Sequence, residues 1–233
     1  MGKLNGISFA GIDKLTDLRR LSRIQEKYPY AEFGVLISKK WAENGNRYFN
    51  PSELSSLNGL GLNLSAHLCG SLVREVISDN YDIFNQLIGD NINLFNRCQL
   101  NVAIKCSEIE ELMLSNFPKQ IKEIIVQQKP TNMKLFLDYF NKHNDKKVVL
   151  LIDGSCGEGK TSKPIMLNGV GKVGYAGGLN QGNIIEILNK LNEIAVGEYW
   201  LDMESGVRTD DWFDLDKVEH ILEITSKYFR NDA

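Results

Sequence analysis

Short apolar runs alternate with amphipathic stretches along the whole chain, at very roughly 25 to 30 residues per unit, and no linker interrupts the alternation. Residues 7–12, 33–37, 62–68, 98–104, 121–127, 148–152, 173–176 and 199–203 have the apolar, partly β-branched character of strands buried on both faces. Helical spacing recurs between them. Thr16 is placed to cap a helix carrying Leu18, Leu21, Ile24 and Tyr28, and Pro51-Ser52-Glu53 resembles a helix start. Phe136, Leu137 and Phe140 make a helical face, as do Ile184, Ile185, Leu188 and Leu191, and then Val218, Ile221, Leu222 and Phe229. Eight strand-then-helix units predict an α/β protein, a single (β/α)8 barrel with residues 1–233 as one domain. An open doubly wound sheet is the competing architecture, because strand order leaves no trace in sequence.

Three of the runs end in charged or glycine-rich segments: VVLLIDGSCGEGKT, KVGYAGGLN and EYWLDMESGVR. Loops at the carboxyl ends of parallel strands hold the ligand in such folds, so these segments are where chemistry is expected. A chain of 233 residues with 42% hydrophobic content can bury a full core. Net charge is −3, with lysine and arginine scattered, which argues against nucleic acid and anionic membrane as partners. No apolar run approaches the roughly 20 residues that span a bilayer, and a cytoplasmic location is expected. Cys69, Cys98, Cys106 and Cys156 lack CxxC spacing and read as free thiols.

The blocks FAGIDKLTDL, GVLIS followed by NRYFNPSEL, QLNV, LLIDGSCGEGKT, YAGGLNQGNI and LDMESGV resemble, in order and spacing, those of phosphoribosylanthranilate isomerase. That family is a (β/α)8 barrel that performs an Amadori rearrangement on phosphoribosylanthranilate in tryptophan biosynthesis, with no metal or organic cofactor. The resemblance therefore implies an aldose-ketose isomerase, a phosphorylated small-molecule substrate, no cofactor, and a monomer or homodimer. Such chemistry needs a general acid to protonate the ribose ring oxygen and a general base to take the C2′ proton.

Site residues follow from the same resemblance. Asp153, ending strand six, matches the family's general acid. The family's base is a cysteine ending strand one, and this chain has Ala10 there, whose methyl group accepts no proton. Asp13, Cys69 and Cys156 are candidate substitutes. A related sugar-phosphate isomerase of histidine biosynthesis uses an aspartate in the corresponding strand, but Asp13 also suits a helix cap, and a buried cysteine is the bland reading of either thiol. His67 faces the barrel by alternation, where a histidine is more often packed than basic. Gly177, Gly178, Ser205 and Gly206 match a phosphate grip built from loops seven and eight. Asp202 matches a family strand-eight aspartate and is expected to orient loop eight without touching the anion. Arg47 matches the arginine facing the anthranilate carboxylate. The family's QLHG is here QLNV, keeping Gln99 and replacing histidine by Asn101. Two departures at the reacting end against retention at the phosphate end leave open a phosphosugar-binding barrel whose isomerase chemistry is lost or changed.

Gly154 to Thr161 also satisfies the GxxxxGK[ST] pattern of a nucleotide-binding P-loop. Its context argues against an NTPase: Pro164, Gly169 and Gly171 follow where a long helix should begin. A glycine-rich lid, with Lys160 as a substrate contact, is the alternative.

Overall fold

The computed structural model describes residues 2–43, 45–130, 136, 138–139, 147–154, 172–195 and 197–229. Eight parallel strands close into a barrel in chain order, each paired with the next and the eighth with the first. They are β1 (Lys3–Ala10), β2 (Ala31–Ile37), β3 (Leu64–Leu68), β4 (Phe95–Leu100), β5 (Glu123–Gln128), β6 (Val148–Asp153), β7 (Lys172–Ala176) and β8 (Glu198–Met203). Closure excludes the open sheet. Around the barrel lie α1 (Leu18–Lys27), α2 (Ser71–Ile77), α3 (Asp82–Ile88), α4 (Cys106–Leu114), α5 (Ile184–Ile194) and α6 (Leu215–Thr225). Of the helical face expected around residues 133–140 only 136, 138 and 139 are described, with Phe136 buried in the main core; the segment 155–171, with Cys156 and Lys160, lies outside the described residues.

Two local expectations are corrected. The cap of α1 is Asp17, whose carboxylate accepts from the Arg19 and Arg20 N–H groups, while Thr16 bonds to Asp13 instead. Strand four begins at Phe95 and ends at Leu100, earlier than the expected 98–104. Its polar Asn96 and Arg97 hide the start of the strand from a search for continuous apolar residues.

The main core fills the space between strands and helices, where Phe9, Phe33, Leu64, Ile124 and Leu201 join one cluster with Leu21, Leu188 and Leu222. Alternate residues point into the barrel. There the apolar filling is small, with Ile125, Val149, Leu151 and Trp200 forming a separate cluster. The amino-terminal end is closed by charge: Arg97 meets Glu32 at 3.2 Å and Glu123 at 2.9 Å, Lys172 meets Glu123 at 2.8 Å, and the Arg97 guanidinium lies 4.3 Å from the Trp200 ring centroid. A cation over an indole face in a half-dry site is held by the ring quadrupole as well as by its carboxylates. With polar and ionic residues lining the floor, the opposite, carboxyl-terminal end of the barrel is left open to a ligand.

Candidate active site

At the carboxyl-terminal end of the strands a cavity of about 350 Å³ is lined by Arg47, Tyr48, Cys69, Gln99, Asn101, Gln127, Asp153, Gly177, Gly178, Asp202, Glu204 and Ser205, among others. Eight of the expected site residues, Arg47, Cys69, Gln99, Asn101, Asp153, Gly177, Gly178 and Ser205, therefore converge on one space, although they span 159 residues of sequence from Arg47 to Ser205.

Asp153 is buried at the end of β6, and Gln127 Nε2, from the end of β5, donates to its Oδ2 at 2.6 Å. This amide fixes one oxygen of the carboxyl group. On β7, Ala176 pairs with Asp153 on one side and with Asp202 of β8 on the other. The two aspartates are thus two strands apart, about 10 Å between backbones at ordinary strand spacing. Only a methyl side chain stands between them.

Asp202 is the most perturbed carboxyl in the cavity. Gln99 Nε2 reaches across the barrel to its Oδ2 at 3.2 Å, while Oδ1 is buried and has no hydrogen-bond partner among the described residues. Burial, seconded by the charges of Glu204 and Glu32, pushes its pKa up to about 7; contacts with Gln99 and Ser8 offset part of this. His67 is perturbed in the opposite sense. It is fully buried on β3 beside Ser65 Oγ, 3.0 Å from Nε2, and burial holds its pKa down to about 4.

These two shifts oppose each other in stability. The unfolded histidine binds a proton that the folded one refuses between about pH 6.5 and 4, so His67 removes about 3 kcal/mol of stability as pH falls through that window. The folded Asp202 holds a proton that the unfolded one has released between about pH 4 and 7, so its contribution is lost as pH rises. In the unaltered protein they nearly cancel between pH 4 and 6.5. Asp202→Asn is expected to unmask the histidine, so that urea-unfolding free energy declines by roughly 1.4 kcal/mol per pH unit more steeply on acidification than in the parent. Equal slopes in the two proteins would contradict it.

The two glycine loops meet at the carboxyl-terminal end of β7 and β8. Gly177 and Gly178 have consecutive positive φ angles of 106° and 65°. Such a left-handed pair is open to glycine at little cost and leaves main-chain N–H groups facing a concavity. Asn180 and Asn183 side chains both donate to the Gly178 carbonyl, at 3.0 and 2.8 Å, which fixes the loop just before α5. Loop eight rests directly on it: a Cβ on Gly206 would lie 1.9 Å from the Leu179 carbonyl oxygen. The two loops can approach this closely only because residue 206 has no side chain.

The remaining candidates divide. Arg47 lines the cavity but already holds two carboxylates, Glu204 at 2.8 Å through Nη1 and Asp211 at 2.7 Å through Nε. Cys69 lines it too, with Asn101 Nδ2 3.5 Å from its sulfur, and burial pushes its thiol up to about 11. Asp13 is not among the lining residues. It is buried, its Oδ1 accepts from the Leu15 N–H and the Thr16 hydroxyl, and its Oδ2 accepts from Arg208 Nη2 at 3.0 Å and the Phe213 N–H at 2.7 Å. Arg208 Nη1 adds a bond to the Gly11 carbonyl at 2.7 Å, so Asp13 ties the exit of β1 to loop eight. Ala10 is buried and does not line the cavity either. Sequence reasoning passed over Tyr48, Gln127 and Glu204. Gln127 could have been found by the rule that singled out Asp153, since it too ends a barrel strand facing inward. Among the described residues no group of three or more His, Cys, Asp or Glu side chains is placed to hold a metal ion, and no helix is long and apolar enough to cross a membrane.

The family model described as N-(5'phosphoribosyl)anthranilate (PRA) isomerase matches residues 99–224, more than half of the chain. No curated protein matches in sequence. Among solved structures, the chain is similar to the dimeric phosphoribosylanthranilate isomerase of Thermotoga maritima in its monomer form, with 13% identity over 99% of this chain and 100% of that one and a TM-score of 0.59. Phosphoribosyl anthranilate isomerase from Thermococcus kodakaraensis gives 12% identity over 97% and 99%, with a TM-score of 0.57. A truncated 3-deoxy-D-arabino-heptulosonate 7-phosphate synthase from Thermotoga maritima gives 8% identity over 97% and 85%, with a TM-score of 0.54. At such identities these likenesses establish the barrel alone. The matched stretch runs from Gln99 through both glycine loops to α6 and leaves out β1, where Ala10 stands. The chain belongs to the phosphoribosylanthranilate isomerase family.

Proposed function

We propose that the protein binds a phosphorylated ribose-type ligand at the carboxyl-terminal mouth of the barrel and isomerises it as an aldose to a ketose, in tryptophan biosynthesis or a related route. The observation that carries this reading is the convergence of Asp153 with the Gly177-Gly178 and Ser205-Gly206 loops on a single cavity of about 350 Å³. Backbone N–H groups of the two glycine loops take the phosphate. Asp153 gives its proton to the ring oxygen as the C1′–O4′ bond breaks, and the nitrogen lone pair forms the C1′=N bond of the opened iminium. Loss of the C2′ proton then yields the enolamine, which becomes the ketone by taking a proton at C1′ and releasing one from the C2′ hydroxyl. Aldose and ketose differ by an internal shift of hydrogen, so no redox partner is consumed.

The direct test is incubation with phosphoribosylanthranilate while its fluorescence is followed. Enzyme-dependent loss of signal is the expected result; a constant signal at high enzyme concentration would reject the isomerase reading.

One observation favours a second reading. Arg47, the residue expected to face an aromatic carboxylate, is already shared between Glu204 and Asp211. A phosphosugar lacking that carboxylate would leave this cluster undisturbed, and the barrel would then bind phosphosugar with lost or altered chemistry. Saturable binding of ribose 5-phosphate without turnover of phosphoribosylanthranilate is the outcome that reading requires. An NTPase would need phosphates at residues 154–161, of which only Gly154 is described.

A further inference from the structure

We propose that Asp202 is the general base of this site, the group whose carboxylate removes the C2′ proton in place of the first-strand cysteine that Ala10 has replaced. This rests on the isomerase reading above. Among the described residues that line the cavity, the candidate bases are Tyr48, Cys69, Asp153, Asp202 and Glu204, and burial and ion pairing single out one of them. Tyr48 and Cys69 stay protonated at neutral pH, because burial raises both. Glu204 is held by Arg47 at 2.8 Å. Asp153 is assigned to the opposite proton transfer. Asp202 remains: its carboxyl group lines the cavity, Gln99 donates to Oδ2, Oδ1 is buried, and no cation pairs with it among the described residues.

Its position suits the task. β8 is hydrogen-bonded to β1, with Ser8 paired to Asp202, so the carboxylate enters the cavity one strand away from the empty family position at Ala10. It lies two strands from Asp153, with Ala176 paired between them, and both carboxyl groups border the same cavity. Gln99 from β4 and Ser8 from β1 contact it, and the charges of Glu32 from β2 and Glu204 from the following loop act on it. None is a cation, and the resulting rise to about 7 makes this carboxylate a far stronger base than an exposed one. In the step, the C2′–H electron pair becomes the C1′=C2′ bond, the imine π pair returns to nitrogen, and the proton resides on the Asp202 carboxyl group.

The test compares the parent with Asp202→Asn and Asp202→Glu on phosphoribosylanthranilate. The asparagine variant should lose about 10²- to 10⁴-fold in kcat with KM changed by less than about threefold. The glutamate variant should recover part of that loss. In the parent, kcat/KM should rise with pH through an ionisation near 7, and the asparagine variant should lack that limb. Inorganic phosphate binding, followed by thermal shift, reports whether each variant keeps its fold and its grip. An Asp202→Asn protein that binds phosphate and retains more than a tenth of parental kcat overturns the assignment while leaving the isomerase reading intact. Should that variant not fold, a parental profile flat between pH 5 and 8 does the same. An inert parent overturns both.

Discussion

Asp153→Asn is expected to lower kcat on phosphoribosylanthranilate by about 10²- to 10⁴-fold, the ordinary cost of deleting a general acid. Asparagine keeps the size of the side chain and can still meet the Gln127 amide that now lies 2.6 Å from Oδ2, so binding should survive. KM is therefore expected to stay within a few-fold of the parent, placing the loss in the transition state and not in ground-state affinity. Steady-state fluorescence assays of both proteins decide the matter. A variant with more than a tenth of parental kcat would remove Asp153 from the proton-transfer role and reduce it to the wall of the cavity.

Arg208→Ala is expected to destabilise the fold by about 3–5 kcal/mol, the usual consequence of leaving one member of a buried ion pair uncompensated. The Asp13 side chain is 0% exposed and that of Arg208 3% exposed, so neither charge can recover solvent if the other is removed. The same guanidinium also holds the Gly11 carbonyl and the Asp211 carbonyl, and with them the joint between the exit of β1 and the hairpin Arg208–Thr209 and Trp212–Phe213. Loosening that joint should also weaken phosphate binding, since Ser205 and Gly206 immediately precede it. Urea titration gives the first effect and phosphate-dependent thermal shift the second. A midpoint shift worth less than about 1 kcal/mol would mean that the pair contributes little beyond its own desolvation cost. Removing both partners in Asp13→Asn/Arg208→Met should cost less than the sum of the single changes, because no buried charge is then left alone.

The architecture was legible because parallel strands covered on both faces are mainly apolar, as FGVLI in β2 and VVLLI in β6 are. Strand four is not. Arg97, Gln99 and Asn101 face the barrel interior and interrupt the apolar run, so the expected strand slid toward residues 98–104. Read as an alternation instead, R-x-Q-x-N between outward-facing apolar residues would have placed it correctly. The cap of α1 shifted by one residue for a similar reason: Thr16 and Asp17 are both good caps, and the choice was made by Asp13, which engages Thr16 from outside the helix.

The site was half legible. Strand-end position was enough to bring Asp153, Gly177, Gly178 and Ser205 to one cavity. What sequence could not supply is partnership across the barrel. The ionisation of Asp202 depends on Gln99 from β4 and on burial, and the occupation of Arg47 depends on Glu204 and Asp211, which lie 157 and 164 residues away along the chain. Asp13, by contrast, had a simple local signal in its spacing to the first helix, and the residue that claims it, Arg208, comes from the far end of the chain.

A crystal structure of the protein with inorganic phosphate tests the central claim most directly. The account predicts an anion within hydrogen-bond distance of main-chain N–H groups of Gly177, Gly178, Ser205 or Gly206, at the open end of the barrel above Ala176. An anion cradled by residues 154–161 with the two glycine loops bare would contradict it.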